Sequence, residues 1–118
     1  MKYLCLVYYD ERTLEAMPES EFEVFTDEHF ALDEELRKGG QCIVAEALQP
    51  VHTSTTVRVR NGKLSTTDGP FAETKEQLAG FYLIDARDLN EAIHVASRIP
   101  PARVGSVEVR PIRELNHP

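Results

Sequence analysis

The chain has no tryptophan and only two cysteines, Cys5 and Cys42, in 118 residues. Both sit inside apolar runs, so they suggest buried free thiols rather than a disulfide framework. Two thiols and four scattered histidines make no metal-ligand spacing. No apolar run approaches the ~20 residues of a membrane helix. Met1 leads straight into a strand-like segment, without the charged leader, apolar stretch and small-residue cleavage site of a secretory signal, so a cytoplasmic location is expected. A glycine-rich phosphate loop, a nucleophile elbow and histidines paired on one helix face are all missing. Nucleotide, serine-hydrolase and zinc chemistry lack support, and no cofactor is expected.

Positive charge is scarce in one region only. Residues 10–38 hold 11 Asp and Glu against 3 Lys and Arg, a net of −8, while the rest of the chain is close to neutral. An acidic helix beside a neutral remainder argues against nucleic acid or an anionic membrane as partner. It reads mainly as a solvated helix face, with a basic protein partner as the other reading. Hydrophobic residues make up 42% of the chain, enough for the core of one domain, expected over 1–113 with a loose tail at 114–118.

Residues 2–9 are apolar or aromatic at nearly every position, which predicts a strand buried on both faces. Residues 18–38 predict a helix. Pro18 suits its first turn, Glu19 and Glu21 suit its positive end, and Gly39-Gly40 stop it. Phe22, Phe25, His29, Leu32 and Leu36 recur at spacings of 3 and 4, which places them on one face. A second strand follows at 41–48. Val57 and Val59 then alternate with Arg58 and Arg60 before Asn61-Gly62, the strongest short hairpin signal, with a return strand at 63–67. Residues 78–85 form the next central strand. Asp88 with Glu91 opens a helix carrying Leu89, Ala92, Ile93 and Ala96 on one face, and Pro100-Pro101 end it. Residues 104–112 alternate as a last strand.

The order β-α-β, inserted hairpin, β-α-β is the split βαβ plan of an α+β, ferredoxin-like fold. Two helices cover only one face of a four-stranded sheet. A second copy of the chain is the economical cover for the other face, as in a dimeric α+β barrel.

Asp68, Glu73, Lys75 and Glu76 fall within nine residues, in a loop that Gly69-Pro70 would stiffen and Phe71 would anchor in the core. Such a loop can bind a polar ligand or hold a general base, or simply turn the chain and solvate its charges. His29 occupies the centre of an apolar stripe where leucine would be usual. It must find a hydrogen-bond partner or stay neutral, and a satisfied core histidine is the plainer alternative. Tyr3, Tyr8, Tyr9 and Tyr82 could line a cleft between the sheet and that helix, or pack in the core. His52, His94 and His117 read as surface residues.

The run from Thr67 to Tyr82, with Asp68-Gly69-Pro70-Phe71 at its head, resembles the signature of the DGPF-domain proteins, a branch of the YCII-related family. Lys2-Tyr3-Leu4, Val57-Arg58-Val59-Arg60 and Ser106-Val107-Glu108-Val109-Arg110-Pro111 resemble the same family. The resemblance implies a ferredoxin-like dimeric α+β barrel of bacterial, cytoplasmic origin. It also implies general acid/base chemistry by a His–Asp pair, the histidine lying eleven residues before a helix-closing glycine. His29 and Gly40 have that spacing, but the aspartate's position before the proline is Ile99 here. Asp68 would have to replace it. The expectation is a small-molecule site, with His29 or Asp68 as base and Glu73, Lys75, Glu76, Tyr8 and Tyr82 holding the ligand. Relatives often neighbour sigma-factor genes, which implies the alternative of a non-catalytic regulatory module.

Overall fold

In the computed structural model, residues 1–116 are described. The elements run β1 (Lys2–Tyr9), α1 (Glu11–Glu15), α2 (Glu19–Lys38), β2 (Cys42–Ala47), β3 (Thr55–Arg60), β4 (Lys63–Asp68), β5 (Gln77–Asp85), α3 (Leu89–Ser97) and β6 (Ser106–Pro111). Short 3-10 turns precede β3 and β6. The main sheet has the order β2-β5-β1-β6 and is antiparallel at each pairing. Each βαβ unit leaves a gap that a strand of the other fills, an arrangement compatible with the ferredoxin-like plan. Among the described residues no helix is long and apolar enough to cross a membrane.

Alternation along the central strands separates two faces. Tyr3, Cys5 and Val7 of β1 and Tyr82 and Ile84 of β5 are buried, packed with Leu32 and Leu36 of α2 and Ala92, Val95 and Ala96 of α3. Leu4, Leu6, Phe81 and Leu83 point the other way and are half-buried, because no helix lies over them. β1 is therefore apolar on both sides but buried by its own chain on only one.

Several local expectations change. Asp10 starts a short helix, its carboxylate accepting the Arg12 N–H at 3.0 Å, a cap that the sequence reading missed. Pro18 sits just outside α2 as its cap rather than in its first turn. The stripe on α2 is buried only at Leu32 and Leu36, while Phe22 is 44% exposed and Phe25 and His29 are half-buried. The amino-terminal half of the helix stands off the sheet. On α3 the buried positions are Ala92, Val95 and Ala96, whereas Leu89 and Ile93 are about half exposed. Ala92 and Ala96 are inside as expected, and Val95 rather than Leu89 or Ile93 completes the inner face. Asp88 does cap α3, accepting the Glu91 N–H at 2.9 Å, but Glu91 turns back to Arg87 instead of completing the box.

The hairpin forms as expected. Asn61 and Gly62 both have positive φ (52° and 74°), the type I′ signature, and β3 pairs with β4 from Thr55–Asp68 to Arg60–Lys63. It makes its own two-stranded sheet and projects from the body. The radius of gyration is accordingly 16.4 Å, against about 13–14 Å for a compact domain of this length. Phe71 is 79% exposed and anchors nothing in the core, contrary to expectation. Residues 114–116 are exposed and lack regular structure, and His117 lies outside the described residues.

Two predictions follow from the packing. An added Cβ at Gly105 would stand 2.1 Å from the Tyr8 carbonyl oxygen and 2.9 Å from Tyr9, so Gly105→Ala must push β1 away. Chemical unfolding should register a loss of about 1–3 kcal/mol, and an unchanged midpoint would contradict this close approach. Burial also pushes the Cys5 thiol from 9.0 up to about 11. A raised folded pKa stabilises fully below the unfolded value and loses that contribution as pH climbs through the folded one. Urea midpoints should therefore fall between pH 9 and 11, with Cys5 accounting for about 2 kcal/mol by the upper end. Cys5→Ala should flatten that slope. Parallel profiles for the two proteins would refute the assignment.

Candidate functional site

The gap left where the amino-terminal half of α2 stands off the sheet is a cavity of about 340 Å³. That is within the size range of small-molecule sites. Its walls come from α2, from the end of β1 and the middle of β5, and from the turn after α3. Tyr9, Phe22, Phe25, Phe30, His29 and Tyr82 line it. Gly80 forms part of the floor, where an added Cβ would come within 2.7 Å of the Glu46 carbonyl oxygen. Only a residue without a side chain lets β2 and β5 pair closely there.

His29 and Tyr82 meet in this wall. The Tyr82 hydroxyl and His29 Nδ1 share a short hydrogen bond, with the rings edge-on at a centroid distance of 5.6 Å. Tyr82 is 3% exposed. Burial, followed by the nearby charge of Asp33, pushes its phenol well above the ordinary range, so it carries its proton. Its hydroxyl has no other acceptor among the described residues, so the proton points at Nδ1. A neutral imidazole that accepts at Nδ1 carries its hydrogen on Nε2. His29 is thereby set as a donor through Nε2, the ring nitrogen without a protein partner among the described residues.

Behind this pair, Asp33 accepts both from Arg37 Nε (2.9 and 3.0 Å) and from the Cys42 thiol at 3.6 Å. Burial is the main cause that holds the Cys42 thiol protonated. Asp33 is one helical turn from His29 but bonds to Arg37, not to the imidazole. The position before Pro100, where the resemblance puts a dyad aspartate, is Ile99. It is 1% exposed and lies on the wall of the same cavity. Tyr82, not a carboxylate, is the partner of His29.

The remaining candidates lie elsewhere. Tyr8 is half-buried on the opposite side of β1 from Val7 and the core. With Lys75 and Glu76 it borders a separate open depression of about 570 Å³ at the β6 edge. Glu76 accepts from the Ser106 hydroxyl at 2.7 Å. Asp68 ends β4 opposite Thr55, and Glu73 is exposed in the loop; neither lines the cavity at His29. The loop is held by its own bonds, Thr74 Oγ1 to the Glu76 carbonyl (2.6 Å) and Gln77 Nε2 to the Thr74 carbonyl (2.8 Å). Of the sequence candidates, the structure brings His29 and Tyr82 together. The sequence did not reveal that the loop acids stand apart from them, nor that Phe22, Phe25 and Phe30 face a cavity rather than the core. Three phenylalanines within nine residues of an otherwise acidic helix were the available signal.

Among the described residues no group of His, Cys, Asp and Glu is placed to hold a metal ion. Comparison with known proteins gives a match to the YCII-related domain over residues 1–116. An uncharacterized protein of Rhizobium meliloti (strain 1021) is 39% identical over 114 residues, covering 95% of this chain and 92% of the relative. Coverage of nearly the whole chain at that identity places this protein in the YCII-related family.

Proposed function

We propose that the protein binds a small organic molecule in the cavity between α2 and β5 and acts on it by proton transfer or carbonyl polarisation at His29. The observation that carries this reading is the Tyr82–His29 hydrogen bond on the wall of a half-open, aromatic-lined cleft. A neutral imidazole fixed by a second group presents one defined donor, and that donor can polarise a ligand oxygen. When charge develops on that oxygen, Nε2–H can move toward it while the Tyr82 proton moves toward Nδ1. The raised Tyr82 pKa opposes full transfer, so the pair favours stabilising an oxyanion over abstracting a proton. Asp68, Glu73, Lys75 and Glu76 have no part in this chemistry within one chain.

Nitrogen-15 spectra should find His29 as the Nε2–H tautomer in the wild type, and Tyr82→Phe should release it to a mixture. A small-fragment screen should give hits that compete for one site and shift the His29 and Phe30 signals. His29→Ala should weaken those hits by about tenfold, the worth of one hydrogen bond. Hits that leave both residues unmoved would discard the site.

We also propose that two copies pair through the open face of the sheet. Supporting this, Leu4, Leu6, Phe81 and Leu83 lie there half-buried, and Glu108 and Arg110 flank them on the adjoining strand with opposite charges. Within one chain these two pair with each other at 2.7 Å, which lowers the cost of bringing them against a second copy. Sedimentation at micromolar concentration should give twice the chain mass, reduced to one by Leu6→Glu. A monomeric wild type would end this part of the reading.

A further inference from the structure

We infer that the cavity takes an uncharged, ring-sized apolar molecule bearing one hydrogen-bond-accepting oxygen. This rests on the reading of that cavity as a ligand site, and it goes further by naming the ligand class. Six of the nine aromatic residues in the protein, Tyr9, Phe22, Phe25, Phe30, Phe81 and Tyr82, line it. Rings so arranged supply flat apolar area at little cost in side-chain entropy, and they suit a planar or alicyclic body. His29 contributes the polar atom, as a donor that lacks a protein acceptor among the described residues. A ligand that leaves such a donor unpaired loses affinity, so an accepting oxygen is selected.

Charge decides against ions. Among the described residues no lysine or arginine lines the cavity. Arg103 lies over the outer side of Phe25, 4.9 Å from its ring, and is already paired with Glu28 at 2.7 Å. Glu46, the acidic wall residue, pairs in register with Phe81, so its carboxylate alternates toward the open face of the sheet rather than into the cavity. α2 also carries exposed acids, Glu21, Glu23 and Asp27 among them, and its net negative charge disfavours the approach of anions. Both phenols in the wall are held neutral, Tyr9 by burial and by Glu11, and Tyr82 by burial first. An organic cation would gain from the rings but would oppose the Nε2–H donor.

Four probes of one shape separate these terms: acetophenone, ethylbenzene, benzoate and benzyltrimethylammonium, each titrated while the His29 and Phe30 signals are followed. Acetophenone should bind about tenfold more tightly than ethylbenzene, with benzoate weakest. His29→Leu should erase the difference between the ketone and the hydrocarbon. Equal affinity for those two in the wild type would overturn the role of the oxygen. Tightest binding of benzoate or of the ammonium, still with His29 shifted, would overturn the ligand class while leaving the cavity as a site. No shift with any probe would overturn the site reading and this inference together.

Discussion

Eight residue pairs join β1 to β5 in antiparallel register, from Lys2–Asp85 to Tyr9–Gln77, and the rest of the molecule is arranged around that pairing. It brings the first strand of one βαβ unit beside the first strand of the other. β2 and β6 are thereby forced to the outside and both main helices to one side. The core follows directly, because Cys5 stands opposite Tyr82 and Tyr3 opposite Ile84. Every second residue of two apolar strands is then left on a face without helices. That this face lacks helices is a consequence of topology, not of any single residue.

The same pairing makes the cavity. The register slips between Val7 and Tyr8, so that Tyr8 lies opposite Leu78 and Ala79 is left without a partner on β1. Such a bulge bends the strand and increases its twist. α2 packs tightly at Leu32 and Leu36 but is less buried toward its amino end, where Phe22 is exposed and Phe25 and His29 are only half-buried. Tyr82 is the last inward side chain before the space opens, and it reaches His29 across it. The histidine is therefore neither a satisfied core residue nor a solvated one. One ring nitrogen is fixed and the other is left to the cavity.

Two polar regions that are close in sequence to the central strands remain separate. Gln77 accepts the Glu11 N–H at 3.0 Å, and Glu11 accepts the Val51 N–H at 2.9 Å. These bonds tie α1 and the turn before β3 to the start of β5. The loop acids are carried to the hairpin base and the β6 edge, away from α2. Their clustering in sequence therefore has no counterpart in the His29 cavity.

Apart from the short α1, element order was legible in the sequence because it depends on local pattern. Alternation marks strands, 3-and-4 spacing marks α2, Asn61-Gly62 fixes the hairpin, and Asp88 marks the start of α3 by satisfying a free helix N–H. His29 was legible as a candidate because a polar side chain interrupts an apolar stripe. Position along a stripe does not say how far the helix stands from the sheet, so Phe22 and Phe25 read as core, and on α3 Leu89 and Ile93 were placed inside alongside Ala92 and Ala96. Nor does composition reveal which of several nearby acids shares a space with a histidine. That depends on which face of the sheet each strand presents, and a single bulge changes it. The sequence by itself determined the elements and the unusual histidine. Only the tertiary structure decided that a buried tyrosine 53 residues away is its partner, because that contact requires β5 to lie beside β1 and beneath α2.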